Sequence, residues 1–350
     1  MTSHAQADPG GHPFPAPEYR FPVPRPAPEH EENGARGDVS KPDWIRAGEN
    51  TPALEWGIRG HLVWGLPPRT GKPPDGPRGL IRLRYPVLPG GAYDLLNFIA
   101  VEPIVSGRKG YSELEQSRLD KLPGKRFWVA DASSQGEETE IRPSGRLRRD
   151  ASGVETLSLE IGIEPFDNGA RVRLTVAQRS DLPDEIELTI HALPDSAPMA
   201  ECILTATMGN KARARRLWLR DRFVSSLDLF PEYREPAFTD HRVWGMDELY
   251  RDTAGNLLAA ITTDEREPSS VIPFPERPHW YYGGFPVVQF WRKTAGSWRE
   301  DLRVAVNARY TYWRSRQPIP GGVSFENFEF RERFFDGQRF RFGIVPAYKL

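Results

Sequence analysis

The amino-acid sequence predicts an all-β protein: a large antiparallel two-sheet β-sandwich with few helices. Short segments of alternating apolar and polar residues follow one another, and turns rich in glycine, proline or asparagine separate them. Helical periodicity is almost absent, and residues 107–121 are the one polar segment compatible with a helix. The length of 350 residues is sufficient to bury the core that two large sheets would share.

The chain divides into a tail and one predicted domain. Residues 1–40 are rich in proline, which disrupts both helices and sheet ladders, so we expect an extended or disordered tail. Alternatively, Phe14, Tyr19 and Phe21 could pin this tail as a strap on the domain or on a neighbouring subunit. Residues 41–350 contain no strong linker, and we expect a single large β-sandwich domain.

In size and strand number, the predicted architecture resembles the supersandwich of galactose-mutarotase-like and related carbohydrate-active proteins. The resemblance is one of architecture, and its implication for this chain is the two-sheet fold itself. Function must therefore be argued from particular side chains.

Charge and composition exclude several classes of partner. A net charge of −1 disfavours a broad surface for nucleic acid or anionic membrane. No apolar run is long enough for a spanning helix, and no secretory leader is visible, so a cytoplasmic location is expected. The single cysteine, Cys202, rules out an internal disulfide and a cysteine-based zinc site, and its apolar surroundings indicate a buried thiol.

Motifs for cofactor-dependent and nucleophilic chemistry are also missing. The sequence contains no G-x-G-x-x-G after a strand, no H-E-x-x-H pair and no G-x-S-x-G elbow. We therefore expect no cofactor and no metal. Carboxylates, tyrosines, arginines and aromatic side chains remain as the candidate functional groups.

Residues 279–313 carry the densest aromatic cluster and are predicted to form a strand pair. In the second strand, alternation places residues 302, 304, 306, 308, 310 and 312 on one face, which is most simply core. The sequence His279-Trp280-Tyr281-Tyr282 precedes two glycines, and flat aromatic faces with polar edges suit stacking on sugar rings. We predict His279 and Tyr282 as catalytic residues and Trp280 and Tyr281 as substrate-binding residues. Further substrate contacts are predicted from the partner strand, namely Asn307, Arg309 and Arg314.

Carboxylates supply the other catalytic candidates. Glu102 ends an otherwise apolar strand segment, where burial would raise the pKa of its carboxyl group toward that of a general acid. Glu113 or Glu115, in the following loop, could complete a pair of the type that glycosidases use. The alternative is that these side chains face solvent or pair with arginine.

Residues 323–330 break the period-two alternation, because Phe325 and Phe328 have opposite parity. A β-bulge near Glu326 and Asn327 would place both phenylalanines on one face, and bulges often lie beside functional sites. Glu326 is therefore a secondary catalytic candidate.

Residues 215–223 are predicted to form one strand with an arginine-rich face. Trp218, Arg220 and Arg222 would share that face and could bind a carboxylate- or sulfate-bearing sugar. A solvated outer face with cross-strand ion pairs is the alternative.

These features together predict a carbohydrate-active protein, an enzyme that cleaves a glycosidic bond by hydrolysis or by β-elimination. The expected ligand is an oligo- or polysaccharide, possibly acidic, with no nucleic-acid or membrane partner and with a possible homo-oligomeric state. Two alternatives remain open: a non-catalytic carbohydrate-binding sandwich, and a structural subunit that mediates protein–protein contact.

Overall fold

A computed structural model of the chain confirms the predicted two-sheet β-sandwich. It describes residues 21–22, 41–67, 78–130, 144–208, 214–264, 272–274, 277–282, 287–312 and 316–346, and for 272–274 and 277–282 the description covers the backbone. Within these residues the helical content is small, comprising α1 (Ser226–Leu229) and short 3-10 turns at Pro89–Gly91 and Met246–Glu248.

The described strands, in chain order, are β1 (Trp44–Arg46), β2 (Glu55–Ile58), β3 (Val63–Gly65), β4 (Leu80–Leu88), β5 (Ala92–Val105), β6 (Arg108–Lys109), β7 (Phe127–Ala130), β8 (Arg146–Arg149), β9 (Glu155–Ile163), β10 (Val172–Arg179), β11 (Leu182–Ala192), β12 (Glu201–Thr207), β13 (Arg216–Trp218), β14 (Phe223–Ser225), β15 (Arg242–Gly245), β16 (Tyr250–Arg251), β17 (Leu257–Thr262), β18 (Ile272–Phe274), β19 (Arg277–Tyr282), β20 (Val287–Lys293), β21 (Arg303–Arg309), β22 (Ser324–Arg331) and β23 (Gln338–Pro346).

These strands form two large sheets and one small sheet. The ten-stranded sheet has the order β1-β2-β3-β4-β5-β12-β22-β21-β15, with β6 added beside β5. The eleven-stranded sheet has the order β14-β13-β17-β20-β23-β11-β10-β9-β7, with β16 beside β17 and β8 beside β9. Strands β18 and β19 form a separate antiparallel pair.

One hydrophobic core lies between the two large sheets. In the ten-stranded sheet, Val101 and Leu204 alternate with outward-facing polar residues, and Leu188 and Phe342 meet them from the other sheet. Burying a side chain of this size contributes about 1.5–3 kcal/mol, so this alternation is the main stabilising pattern. One buried hydrogen bond links the two sheets across the core, since Asn97 Nδ2 donates to Gln289 Oε1 at 2.7 Å.

The strand pair predicted within residues 279–313 is wrong. Strand β20 pairs with β17 and β23 in the eleven-stranded sheet, whereas β21 pairs with β22 and β15 in the ten-stranded sheet. Residues 294–302 therefore cross from one sheet to the other. Strand β21 alternates apolar and polar residues, whereas β20 has apolar side chains on both faces. Neither pattern distinguishes a hairpin partner from a strand of the opposite sheet.

Two other local predictions also need correction. The predicted strand over 215–223 is a hairpin, because Leu219 N donates to Arg222 O and the chain reverses between β13 and β14. Residues 107–121 form β6 and a series of turns in place of a helix. The hydroxyl group of Ser112 holds this segment against the sheet, since it donates to Gly79 O and accepts from Val101 N.

The predicted β-bulge in β22 is confirmed. Val306 pairs with Phe328, whereas Ala308 pairs with Phe325, so the stretch of β22 opposite them contains one extra residue at Glu326–Asn327. The bulge brings both phenylalanines into the core, as predicted from their parity. The core assignment is confirmed as well for residues 302, 304, 306 and 308, whereas Tyr310 and Tyr312 follow the end of β21, where Tyr310 is partly buried against the core and Tyr312 is buried.

The proline-rich segment contributes one described contact. Phe21 stacks on Tyr250, with ring centres 4.2 Å apart and planes 7° apart. Both rings pack against a small apolar cluster on the outer face of the eleven-stranded sheet, which includes Leu258 and Phe290.

We expect the Phe21–Tyr250 stack to stabilise the folded state measurably. In a double-mutant cycle with Phe21→Ala and Tyr250→Ala, the coupling free energy should be about 0.5–1.5 kcal/mol, the usual contribution of an aromatic pair. The measurement is chemical unfolding of the four proteins. Strictly additive effects would contradict the attachment of Phe21 to this surface.

Candidate functional site

The candidate site is a strip of polar side chains on the outer face of the ten-stranded sheet. Successive side chains of a strand point to opposite faces of its sheet, so a residue next to a core-facing residue points to the outer face. We call these residues the outer strip: Glu102 on β5, Thr205 on β12, Asn307 and Arg309 on β21, and Glu326 and Glu329 on β22. All six are buried, which is unusual for charged side chains and requires compensating partners.

The centre of the strip is a pair of carboxyl groups bridged by one hydroxyl group. Strand β12 lies between β5 and β22, and its Thr205 Oγ1 is 2.8 Å from Glu102 Oε2 and 2.5 Å from Glu329 Oε2. The two carboxylate oxygens are therefore at most the sum of these distances, about 5.3 Å, apart. A hydroxyl has one proton to donate, so hydrogen bonds to both carboxyl groups require that one of them is protonated.

Burial raises the pKa of the Glu102 carboxyl group, and the nearby Glu329 raises it further. Lys109 Nζ opposes this shift from 2.5 Å away, but the net direction is upward. Burial alone would lower the pKa of Lys109, whereas the two neighbouring carboxylates outweigh it and raise this pKa. The centre of the site thus pairs a permanently charged lysine with a carboxyl group that readily holds a proton.

His241 lies at the edge of this centre. Its Nε2 is 3.5 Å from Glu329 Oε1, and Arg331 Nη1 approaches the same oxygen at 4.0 Å. Burial, together with the positive charges of Lys109 and Arg331, lowers the pKa of His241 to about 4. The imidazole is therefore neutral near pH 7 and is able to accept a proton.

The other end of the strip is formed by Glu326 and Arg309. Glu326 Oε1 and Arg309 Nη1 are 3.5 Å apart, too far for a good hydrogen bond, while Arg309 Nη2 donates to Tyr312 O at 3.1 Å. Burial raises the pKa of Glu326 to about 7, although Arg309 acts in the opposite direction. The ring of Phe238 covers the guanidinium group, whose carbon lies 5.0 Å from the ring centre.

Several polar atoms of the site are buried and lack hydrogen-bond partners within the described part of the chain. They are Glu329 Oε1 and His241 Nε2 at the centre, and Glu326 Oε1, Arg309 Nε and Arg309 Nη1 at the far end. Leaving a buried polar atom unpaired typically costs about 1–3 kcal/mol. Unpaired polar atoms at both the centre and the Arg309 end of the outer strip indicate two positions where a polar ligand could bind.

The other predicted carboxylates have different partners. Glu115 Oε2 lies 3.1 Å from the buried Lys125 and accepts from the amide of Asp167, so it anchors the loop that follows β6. Glu113 is half-buried in the same loop. The carboxyl group that shares a hydrogen-bond partner with Glu102 is Glu329.

The predicted arginine-rich face is divided by the β13–β14 hairpin. Trp218 Nε1 donates to Thr262 Oγ1 at 2.9 Å, and Arg222 pairs with Glu248. Arg220 is exposed, and its Nη2 is 3.8 Å from Asp221. Because β13 and β14 edge the eleven-stranded sheet, these residues belong to a different sheet from the outer strip.

The aromatic candidates lie in β19, for which the backbone alone is described. His279, Trp280, Tyr281 and Tyr282 belong to the strand that pairs with β18, and Arg314 lies outside the described residues. Their roles therefore stay predictions.

Sequence reasoning missed Glu329, Thr205, Lys109 and His241. The sequence contains one signal for Glu329. It stands between Phe328 and Phe330, which face the core, so its side chain must lie on the outer face of the sheet with the rest of the outer strip. The grouping of all four residues depends on strand register and on the β5-β12-β22 order, neither of which local patterns provide.

Across the described ranges, no group of three or more histidine, cysteine or acidic side chains is arranged to hold a metal ion. Nor does any helix in those ranges have the length and apolar character needed to cross a lipid bilayer.

Comparisons with known proteins find a similarity in structure. No protein-family profile matches this chain, and no curated protein sequence matches it. Among solved structures, the galactosidase domain of the alpha-galactosidase-sucrose kinase AgaSK aligns with a TM-score of 0.30 and 8% sequence identity. The alignment covers 90% of this chain and 36% of the other, so this chain spans about a third of that protein's length. The functional conclusion is therefore drawn from the outer strip.

Proposed function

We propose that this protein is a carbohydrate-active enzyme that cleaves a glycosidic bond with Glu102 and Glu329. The observation that carries the proposal is the bridging of these two buried carboxyl groups by Thr205, which holds their oxygens within about 5.3 Å. Retaining glycosidases work with paired carboxyl groups about 5–5.5 Å apart, and the short separation that Thr205 imposes is closer to this arrangement than to the about 6.5–9.5 Å of inverting enzymes.

The environment of each carboxyl group supports a division of roles. The raised pKa of Glu102 favours its acid form, which suits the donation of a proton to the leaving-group oxygen. Glu329 then acts as the carboxylate that attacks or stabilises the sugar carbon. Thr205 is a positioning residue, because its hydroxyl fixes the separation of the two groups.

A β-elimination mechanism uses the same site in a different way. Neutral His241, with its pKa of about 4, would accept the proton next to a uronate carboxylate. Lys109 and Arg331 would supply positive charge for that carboxylate. This version requires an acidic substrate, whereas the hydrolytic version does not.

A non-catalytic carbohydrate-binding protein is the second candidate. The complete burial of Glu329 favours it, because a catalytic carboxylate must reach the substrate. In this version the same strip binds a sugar and no bond is cleaved.

The test is a screen of the full chain against neutral and acidic oligo- and polysaccharides. Reducing ends report hydrolysis, and ultraviolet absorbance of unsaturated uronates reports elimination. We expect reducing ends, with the first-formed anomer keeping the configuration of the substrate when followed by NMR. Binding without either product would support the second candidate, and a product of inverted configuration would contradict the assigned carboxyl pair.

A further inference from the structure

The unpaired atoms at the Arg309 end of the strip specify the kind of group that could bind there. Among the described residues, Arg309 Nε and Nη1 are donors without a hydrogen-bond acceptor, and Glu326 Oε1 is an acceptor without a hydrogen-bond donor. The donor Nη1 and the acceptor Oε1 lie 3.5 Å apart, and both side chains are at least nine-tenths buried. A ligand group that satisfies both must accept one hydrogen bond and donate another.

We propose that Arg309, Glu326 and Phe238 form a second sugar subsite, which binds a hydroxyl group and so selects an uncharged sugar unit. This inference rests on the proposed carbohydrate function and names its substrate class. A hydroxyl group accepts from Arg309 and donates to Glu326, so it satisfies both partners at once. An isolated arginine, by contrast, would favour an acidic sugar.

The argument against an acidic sugar is electrostatic. An arginine alone is well suited to a carboxylate, because its planar fork makes two charge-assisted hydrogen bonds. Here Glu326 already lies beside the guanidinium group, so at pH values above its pKa of about 7 an incoming carboxylate would face a like charge in a buried site. Like-charge contacts of this kind cost several kcal/mol at an interface.

Phe238 provides the apolar surface of the subsite and controls access to it. Its ring lies on the guanidinium group and is 43% exposed. The backbone beside it is held in place, since Thr239 N donates to Ala308 O and Thr239 Oγ1 accepts from Ala308 N, each at 2.9 Å. The ring is therefore a solvent-facing cover of Arg309, and its exposed face can stack on the C–H face of a sugar.

The distance along β22 places this subsite beyond the catalytic pair. Because the bulge at Glu326–Asn327 adds one residue to β22, Glu326 and Glu329 are separated by about two residues of strand length, which corresponds to about 7 Å at about 3.3 Å per residue. The unpaired atoms of Glu326 and of Glu329 therefore lie at successive positions along the outer strip. They fit separate units of an oligosaccharide.

The test compares matched sugars that differ in one group: glucose with glucuronate, and galactose with galacturonate. Binding to the full chain and its variants is measured by ligand-observed NMR and by calorimetry, independently of cleavage. We expect the native protein to bind the neutral member of a pair more tightly. In Glu326→Gln, which removes the charge, affinity for the acidic member should rise by about tenfold or more, because Arg309 then acts without a competing carboxylate.

Two further variants keep the test decisive. Glu187→Gln, on β11 of the other sheet, is the matched control: it removes a carboxylate outside the outer strip and should leave the neutral-over-acidic preference unchanged. Phe238→Ala changes an exposed side chain, so it should fold normally and should weaken neutral-sugar binding severalfold. Thermal unfolding verifies the fold of each variant.

The outcomes separate this inference from the catalytic proposal. Sugar binding with the expected shift in Glu326→Gln, but without cleavage by the native protein, supports the subsite and contradicts the catalytic pair. The subsite is overturned if Glu326→Gln leaves the preference unchanged, or if no sugar of either pair binds. A buried water bridging Arg309 and Glu326, with binding insensitive to Phe238→Ala, would overturn it as well.

Discussion

Replacing Glu329 by glutamine is expected to lower the rate of glycosidic cleavage by on the order of 10²–10⁴-fold, the usual contribution of a positioned acid, base or nucleophile. Glutamine retains the size of the side chain and can still hydrogen-bond to Thr205, so the variant should fold. Its amide cannot attack or stabilise the sugar carbon as a carboxylate does. The measurement is the initial rate on the best substrate of the polysaccharide screen, together with thermal unfolding.

Glu102→Gln tests the other half of the pair through its pH profile. A general acid is active while protonated, so the rate of the native enzyme should fall as the pH rises through the pKa of Glu102. Because burial raises that pKa, the decline should begin at a higher pH than for an ordinary glutamate. Glu102→Gln should lower the rate and remove this alkaline limb, provided that the substrate needs protonation of its leaving group.

Glu187→Gln is the matched control for both variants. Glu187 lies on β11 of the other sheet and accepts from Arg341 Nε at 3.0 Å, so its replacement should leave the rate unchanged. Native-like activity in both Glu102→Gln and Glu329→Gln would contradict the catalytic assignment. A loss of activity in Glu187→Gln as well would indicate a general effect on the fold.

Replacing Glu332 by alanine is expected to destabilise the protein by about 3–5 kcal/mol, the effect of leaving a buried charge without its partner. Lys293 Nζ lies 2.5 Å from Glu332 Oε1, and neither side chain is exposed. Lys293 also donates to Arg339 O at 2.7 Å, and the Phe340 ring centre is 4.1 Å from its ammonium group. Burial lowers the pKa of Lys293, and Glu332 is the group that opposes this shift. Chemical unfolding at pH 7 measures the loss.

A double replacement distinguishes a lost charge partner from lost packing. In Lys293→Met combined with Glu332→Leu, both charges are absent and the volume is largely kept, so much of the stability should return. Urea unfolding of the native protein, the two single variants and the double variant gives the coupling energy. If Glu332→Ala lowers the free energy of unfolding by less than about 1 kcal/mol, Glu332 does not compensate a buried charge on Lys293.

Most strands could be predicted from the sequence, because period-two alternation is a local consequence of strand geometry. The clearest example is β22, where opposite parity of Phe325 and Phe328 predicted a bulge that the strand register then confirmed. Tertiary pairing was less predictable. Strands β20 and β21 follow one another in the chain and yet belong to different sheets, because sequence proximity does not determine which edge a strand joins.

The same limit applies to the candidate site. The burial of Glu102 on an otherwise apolar strand and the outward position of Asn307 could be predicted, and Glu326 and Arg309 could be selected as candidates. Glu329 was not selected, although one threonine hydroxyl joins it to Glu102 across β12. These two glutamates are more than 200 positions apart in the chain, so only the order of the strands brings them together.

The sequence by itself determined that this chain is an antiparallel two-sheet sandwich and which side chains face its core, because alternation and turn residues act over a few positions. The tertiary structure alone decided which outward-facing groups meet. It placed Lys109, His241 and the two carboxyl groups together by long-range strand pairing, and it covered Arg309 with Phe238. The shifted pKa values follow from that burial, since the loss of water around a charge depends on every layer packed above it.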